Sequence, residues 1–300
     1  WGMRLAVMEL DLVRHGHRWS VASASSQTLN SDVAAEDPEV AAAVRAQHDK
    51  VVAYVNTVIG TSTQAMSAAR APVEDVPIID FVNYVQADAV KQGLTGADAA
   101  LPVLSIAAPF NRSASFPAGA VSRRDVAGLY IYDNFLFGVR VSGQGVQDYL
   151  EYSMRYFQQV PGPGTYPMSR VTNASYGVPD QPGYVPPIPD YNFDSIAGLD
   201  LRLTYDIDLT QPVGSRIVGL QYGGADVLPT DQFVLAVNNY RQSGGGGFPA
   251  VKTAPVVYSN STDIRQLLID WVSAHHTIDP TQFASADWKL VANDQPLTIT

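Results

Sequence analysis

Residues 233–249 set the terms on which the rest of this chain can fold. Phe233, Leu235 and Val237 alternate as one face of a β-strand, and that strand runs directly into NNYRQSGGGGFP, residues 238–249. Glycine lacks a Cβ and takes positive φ freely, so four glycines after Tyr240 and Arg241 let backbone approach a flat ligand closely. Two readings stay open: a nucleobase pocket with Tyr240 as a wall, or a surface turn carrying an exposed tyrosine. A phosphate loop is excluded by residue type. No Gly-Lys-Ser/Thr follows the glycines, and their spacing is not that of a dinucleotide fingerprint.

Three hundred residues, 46% of them hydrophobic, can bury one large core or two smaller ones. The net charge of −10 argues against a partner that is a nucleic-acid polymer, which needs a basic face. Any small anionic ligand must be met by local arginines or by metal. The absence of cysteine excludes disulfides, thiolate metal sites and cysteine nucleophiles. No apolar run reaches the roughly 20 residues of a membrane helix, so no membrane span is expected. The start at Trp1, without methionine or a signal-peptide pattern, reads as a fragment or processed product.

In chain order, MRLAVMELDLV and RWSVASA predict two strands joined by a turn at Arg14-His15-Gly16-His17. Within them LVRHGHR resembles the nucleophile motif of the histidine phosphatases. That family needs further Arg, His and Glu partners, and His48, His275 and His276 have no matching context; a solvated turn is the competing reading. Asp37-Pro38-Glu39 opens a helix, and Val40, Val44, Val51, Val55 and Ile59 carry it to a stop at Gly60. It reads as a connector or as an ordinary surface helix. A second helix is expected over Ile78–Gln92, then a buried strand in LPVLSIAA that ends at Asn111-Arg112, a pair suited to an anion or to solvent. Ser122 and Asp125 frame a capping box. Tyr130–Asn134 turns into the strand FLFGVRV, and a helix with Val146, Tyr149 and Leu150 follows; Tyr132 taken alone reads as core. Residues 160–190 hold eight prolines and read as an excursion loop, with a glycosylation sequon at Asn173. LRLTYDID and RIVGLQY predict paired strands, Ile264–Val272 the last helix and DWKLV the last strand.

Together these pieces resemble the C-terminal domain of the 5′-nucleotidases, closest to the bacterial 2′,3′-cyclic-nucleotide 2′-phosphodiesterase/3′-nucleotidases. The matching segments are LAVMELDLV, EDPEV, YVNTVIG, LPVLSIAAPF, LYIYDN, YNFDSIAGLD and NNYR with its glycines, in the family's order. The resemblance implies an α/β (α+β) fold, a layered α/β/β/α sandwich with mixed sheets. It divides the chain into 1–36, last strands of a metallophosphatase domain; 37–60, a linker helix; and 61–300, the nucleoside-binding domain.

In that family two divalent ions (Mn, Zn or Co) act in the N-terminal domain, and their ligand motifs are missing here; no catalytic or metal-binding residue is expected in this chain. The base is sandwiched by two aromatic rings, which carry over to Tyr132 and Tyr240, with Asn134 at the base edge. Asn111 or Arg112 falls where relatives direct a basic residue toward ribose or phosphate, though many have Lys there. Gly244, Gly245 and Gly246 complete the site, and Gly246 stands where 5′-nucleotidases have an Asp. The implied partners are a nucleotide or nucleoside and the N-terminal domain of the same polypeptide. The implied location is extracellular, cell wall or periplasmic. The alternatives are a 5′-nucleotidase of the same family or a non-catalytic nucleotide-binding module.

Overall fold

A computed structural model describes residues 2–300, which divide into two compact units, one ending at Tyr54 and the other spanning Val55–Thr300. The first unit contains an antiparallel hairpin, Arg4–His15 with Arg18–Asn30, and most of the helix Pro38–Val55. The hairpin matches the expected pair of strands but extends further. Asp37 caps the helix, its Oδ1 accepting the backbone N–H of Glu39 at 2.9 Å and of Val40 at 3.2 Å. Those donors have no partner inside the helix, which is why an aspartate is favoured there.

The expected end of this helix is corrected. It stops at Val55, and Ile59 and Gly60 belong to the strand Val58–Ser62. Gly60 serves close packing instead of helix termination: a Cβ there would lie 2.6 Å from Val272 and 2.9 Å from the His276 carbonyl.

The second unit is built on two five-stranded mixed sheets. Across the first lie Ser195–Gly198, Val103–Ala107, Gln232–Asn238, Phe135–Ser142 and Val256–Asp263, with the second and third parallel and the other neighbours antiparallel. Across the second lie Ala225–Asp226, Ile217–Tyr222, Leu203–Asp208, Trp288–Ala292 and Gln295–Pro296. Helices Pro77–Gly93 and Ile264–His275 cover one face of the first sheet, where Phe81, Val85 and Leu268 meet Val103, Leu136 and Val234. On the other face Leu104, Val139 and Leu235 pack with Tyr149 of the helix Gly143–Ser153 and with Leu203 and Trp288 of the second sheet. Each such side chain contributes about 1.5–3 kcal/mol by leaving water. The strand Gln232–Asn238 is therefore buried on both faces, which its unbroken run Phe233–Val237 reflects.

The capping box forms as expected, with Ser122 Oγ accepting the Asp125 N–H and Asp125 accepting the Ser122 N–H. DWKLV is not the last strand. Thr298–Ile299 pairs in parallel with Thr165–Tyr166 and so ties down the start of the proline-rich excursion.

Candidate functional site

Phe135–Ser142 and Gln232–Asn238 are antiparallel neighbours in register Leu136 to Asn238, so Tyr132-Asn134 and Asn239-Tyr240 emerge at the same end of the sheet. Buried Tyr130 locks these ends together. Its hydroxyl accepts from Asn134 Nδ2 at 3.1 Å and Asn238 Nδ2 at 3.3 Å, and burial raises its pKa so that the hydroxyl stays neutral. Asn239 adds a third tie by accepting the Phe135 N–H at 3.0 Å, and Asn238 Oδ1 caps the short helix Asn239–Gln242 through the Arg241 N–H at 2.8 Å. The two sequence-predicted tyrosines are thus carried on adjoining, cross-linked segments.

Tyr132 is half-buried, with Phe110 edge-on at 5.6 Å on one side and Tyr191 edge-on at 6.0 Å on another. Tyr240 is 44% exposed. Its ring lies against Gly245, where a Cβ would come within 2.5 Å of ring carbons. Gly246 has φ +73°, and a Cβ there would be 2.6 Å from Arg241. The glycines are required by this packing, whichever of the two sequence readings of the loop is taken.

Arg241 is the hub beneath the glycine loop. Its Nε donates to Asp194 Oδ2 at 2.6 Å and Nη2 to Asp194 Oδ1 at 3.1 Å, with both side chains 2% exposed. Nη2 also donates to the Tyr191 carbonyl at 2.6 Å, and Nη1 to Asn192 Oδ1 at 3.0 Å and the Gly245 carbonyl at 3.3 Å. Tyr149 donates to Asp194 as well, at 2.6 Å. Burial pulls the arginine pKa down, and the Asp194 charge more than offsets this, so its pKa ends above the ordinary value. The Arg of NNYR is therefore paired with the Asp of YNFD, joining the glycine loop to the segment that carries Tyr191. No spacing in the sequence announces this pair, because its partners are 47 residues apart.

Asn111 and Arg112 are engaged elsewhere. Asn111 donates to the Gly128 carbonyl at 2.8 Å and accepts the Ser113 N–H at 3.0 Å. Arg112 pairs in two-pronged fashion with Asp190 and reaches Tyr156 at 3.2 Å and Asn173 at 3.3 Å. Burial pushes Asp190 up, yet Arg112, Asn173 and Tyr156 together hold it below its ordinary pKa. Both residues flank the aromatic cluster, Arg112 by holding the residue that precedes Tyr191. The sequon Asn173 uses its own amide to donate to the Ile188 carbonyl at 2.8 Å and to Asp190 at 3.0 Å. His15, in the decoy phosphatase motif, is an exposed residue at the hairpin end. Among the described residues, the one grouping of three or more His, Cys, Asp or Glu close enough to ligate an ion is Asp75, Asp80 and Asp287.

Two mixed sheets with an aromatic and glycine-rich cluster at one sheet end define a mixed α/β architecture. Residues 58–253 match the family described as 5′-nucleotidase, C-terminal domain, and the chain belongs to that family. It is 31% identical to the 2′,3′-cyclic-nucleotide 2′-phosphodiesterase/3′-nucleotidase of Salmonella typhimurium, over 91% of this chain and 44% of that protein. It is 29% identical to the trifunctional nucleotide phosphoesterase protein YfkN of Bacillus subtilis, over 97% of this chain and 20% of that protein. The chain thus spans less than half the length of these relatives. The 5′-nucleotidase precursor of Thermus thermophilus shares the fold at 16% identity, with a TM-score of 0.62 over 99% of this chain and 51% of that one.

Proposed function

We propose that this chain is the nucleoside-binding part of a nucleotide phosphoesterase acting on 2′,3′-cyclic nucleotides and 3′-nucleotides, and that it holds the base between Tyr132 and Tyr240. The observation that carries this reading is the cross-linked pair of strand ends. Tyr130, Asn238 and Asn239 fix the segments bearing both rings, and the glycine loop backs the ring of Tyr240. Stacking on an aromatic is worth roughly 1–3 kcal/mol per base and tolerates any base, because every base has a π-face. Asn134 has its Nδ2 engaged by Tyr130, which directs its Oδ1 to a donor on the base edge, such as an exocyclic amine. Tyr191, edge-on to Tyr132, limits how far that ring can turn away. Gly244, Gly245 and Gly246 shape the floor. Asn111 and Arg112 act by positioning the aromatic cluster, through Gly128 and Asp190.

Hydrolysis in this reading belongs to a preceding metallophosphatase domain of the same polypeptide, where two divalent ions (Mn, Zn or Co) would activate water. Residues 1–36 complete that domain, the helix ending at Val55 links it, and the chain from the strand Val58–Ser62 onward binds the nucleoside. The exposed Leu5, Met8, Leu10, Leu12 and Val21 of the hairpin support this division, since an isolated two-stranded hairpin is at best marginal in water and such an apolar surface calls for a partner. The location that goes with this assignment is extracellular, cell wall or periplasmic.

Calorimetry with adenosine and 3′-AMP tests the reading. The chain should bind either ligand, and Tyr132→Ala and Tyr240→Ala should each weaken binding about tenfold or more, while Tyr→Phe is mild because the ring carries the contact. Unchanged affinity in both alanine variants, with circular dichroism intact, would remove the two tyrosines from the site.

A further inference from the structure

Asp75, Asp80 and Asp287 reach one another from two distant parts of the chain. Asp75 precedes the helix Pro77–Gly93, Asp80 lies in its first turn, and Asp287 immediately precedes the strand Trp288–Ala292 of the second sheet. One carboxylate oxygen from each lies within 4.8 Å of the others. Asp80 is 3% exposed and Asp287 1%. Among the described residues, none of the three takes part in an ion pair with Lys, Arg or His. Lys289, which borders the same region, is paired with Asp206 at 3.4 Å.

The hydrogen bonds around the cluster are incomplete in one informative place. Asp75 Oδ2 accepts the backbone N–H of Asp287 at 2.6 Å and of Trp288 at 3.3 Å, and Asp287 Oδ1 accepts the Ser285 hydroxyl. Asp287 Oδ2 is buried and has no hydrogen-bond partner. A buried carboxylate oxygen without a donor is costly, and such charges are normally paired or bound to metal. A cavity of about 630 Å³, lined among others by Asp75, Asp80, Ser285 and Trp288, opens beside the cluster and has room for water.

We infer that Asp75, Asp80 and Asp287 form a binding site for a hard divalent cation of calcium size, which joins the start of the Pro77–Gly93 helix to the second sheet. Calcium bonds oxygen at about 2.3–2.6 Å, so two oxygens on one ion can stand up to about 4.6–5.2 Å apart, and separations of no more than 4.8 Å are within that reach. Magnesium dehydrates reluctantly and is seldom held by a dedicated set of protein carboxylates, which favours calcium. An all-oxygen set without imidazole or thiolate disfavours zinc and copper. Waters from the cavity complete the shell. The competing way to neutralise the cluster is protonation, which closely spaced, buried carboxylates favour. A cation needs them ionised, so its binding weakens at low pH.

The test uses the chelator-stripped chain in thermal unfolding, with calcium or magnesium added at about pH 8 and about pH 5. Calcium at a hundredfold its dissociation constant should raise the Tm by about 5–10 °C at the higher pH, with a smaller rise at the lower. Terbium should bind in place of calcium and luminesce on tryptophan excitation, because Trp288 lines the cavity. Asp80→Asn and Asp287→Asn keep side-chain size and should each abolish the calcium shift and the terbium signal. Two results would overturn the site. One is no calcium shift and no terbium emission in the parent chain, together with an Asp80→Asn variant more stable than the parent at the higher pH, which would assign the neutralising role to protons. The other is terbium emission that persists in both variants.

Discussion

Replacing Arg241 by methionine should be among the most damaging single changes in this chain. The substitution keeps much of the side-chain volume and removes five hydrogen bonds at once: two to Asp194, and one each to the Tyr191 carbonyl, Asn192 and the Gly245 carbonyl. Asp194 would keep its Tyr149 hydrogen bond but lose its counter-charge while 2% exposed. Breaking a buried ion pair from one side costs about 3–5 kcal/mol, mostly from the charge left behind. At roughly 2–4 °C per kcal/mol for a domain of about this size, the Tm should fall by about 6–20 °C. Differential scanning calorimetry measures this directly. Asp194→Asn combined with Arg241→Met should cost clearly less than the sum of the single changes, because the second substitution removes the stranded charge. A cost below about 1 kcal/mol for Arg241→Met, or strict additivity in the double variant, would refute the hub.

Gly245→Ala should lower adenosine affinity with little change in fold, because the new Cβ would lie 2.5 Å from the Tyr240 ring and must push it aside; calorimetry beside circular dichroism separates the two effects. Without added cation, stability should fall as pH rises from 3.8 through about 7, since burial raises the Asp287 pKa and the folded chain then holds a proton that the unfolded chain has released. Urea unfolding across that range should show the decline, and Asp287→Asn should make it shallower without removing it, because burial raises the pKa of Asp75 and Asp80 as well. His15→Ala should leave ligand binding unchanged, and a phosphorylated His15 after incubation with a phosphomonoester would contradict the solvated-turn reading.

Local signals in the sequence translated well into structure. The alternation of Phe233, Leu235 and Val237, the box of Ser122 and Asp125, and the cap at Asp37 each depend on neighbours within a few residues, and each appears as expected. Expectation and structure part where a residue answers to distant packing. Gly60 reads as a helix stop in isolation, and only the approach of Val272 and His276 explains it as a strand residue. The same limit applies to the site. Tyr132, Asn134 and Tyr240 stand out by composition and resemblance, whereas Tyr191 enters through the fold, edge-on to Tyr132. Arg241 and Asp194 each sit in a recognisable segment, but their pairing is a tertiary fact. Asn111 and Arg112, polar and at a strand end, have the composition of an anion site, yet their hydrogen bonds run to Gly128 and Asp190.

Whether one nucleobase lies between Tyr132 and Tyr240 is decided by a crystal structure of the chain with adenosine. Adenine should stack on the exposed ring of Tyr240, its other face toward Tyr132, with its edge within hydrogen-bonding distance of Asn134. Adenosine bound elsewhere, or stacked on neither tyrosine, would contradict this placement.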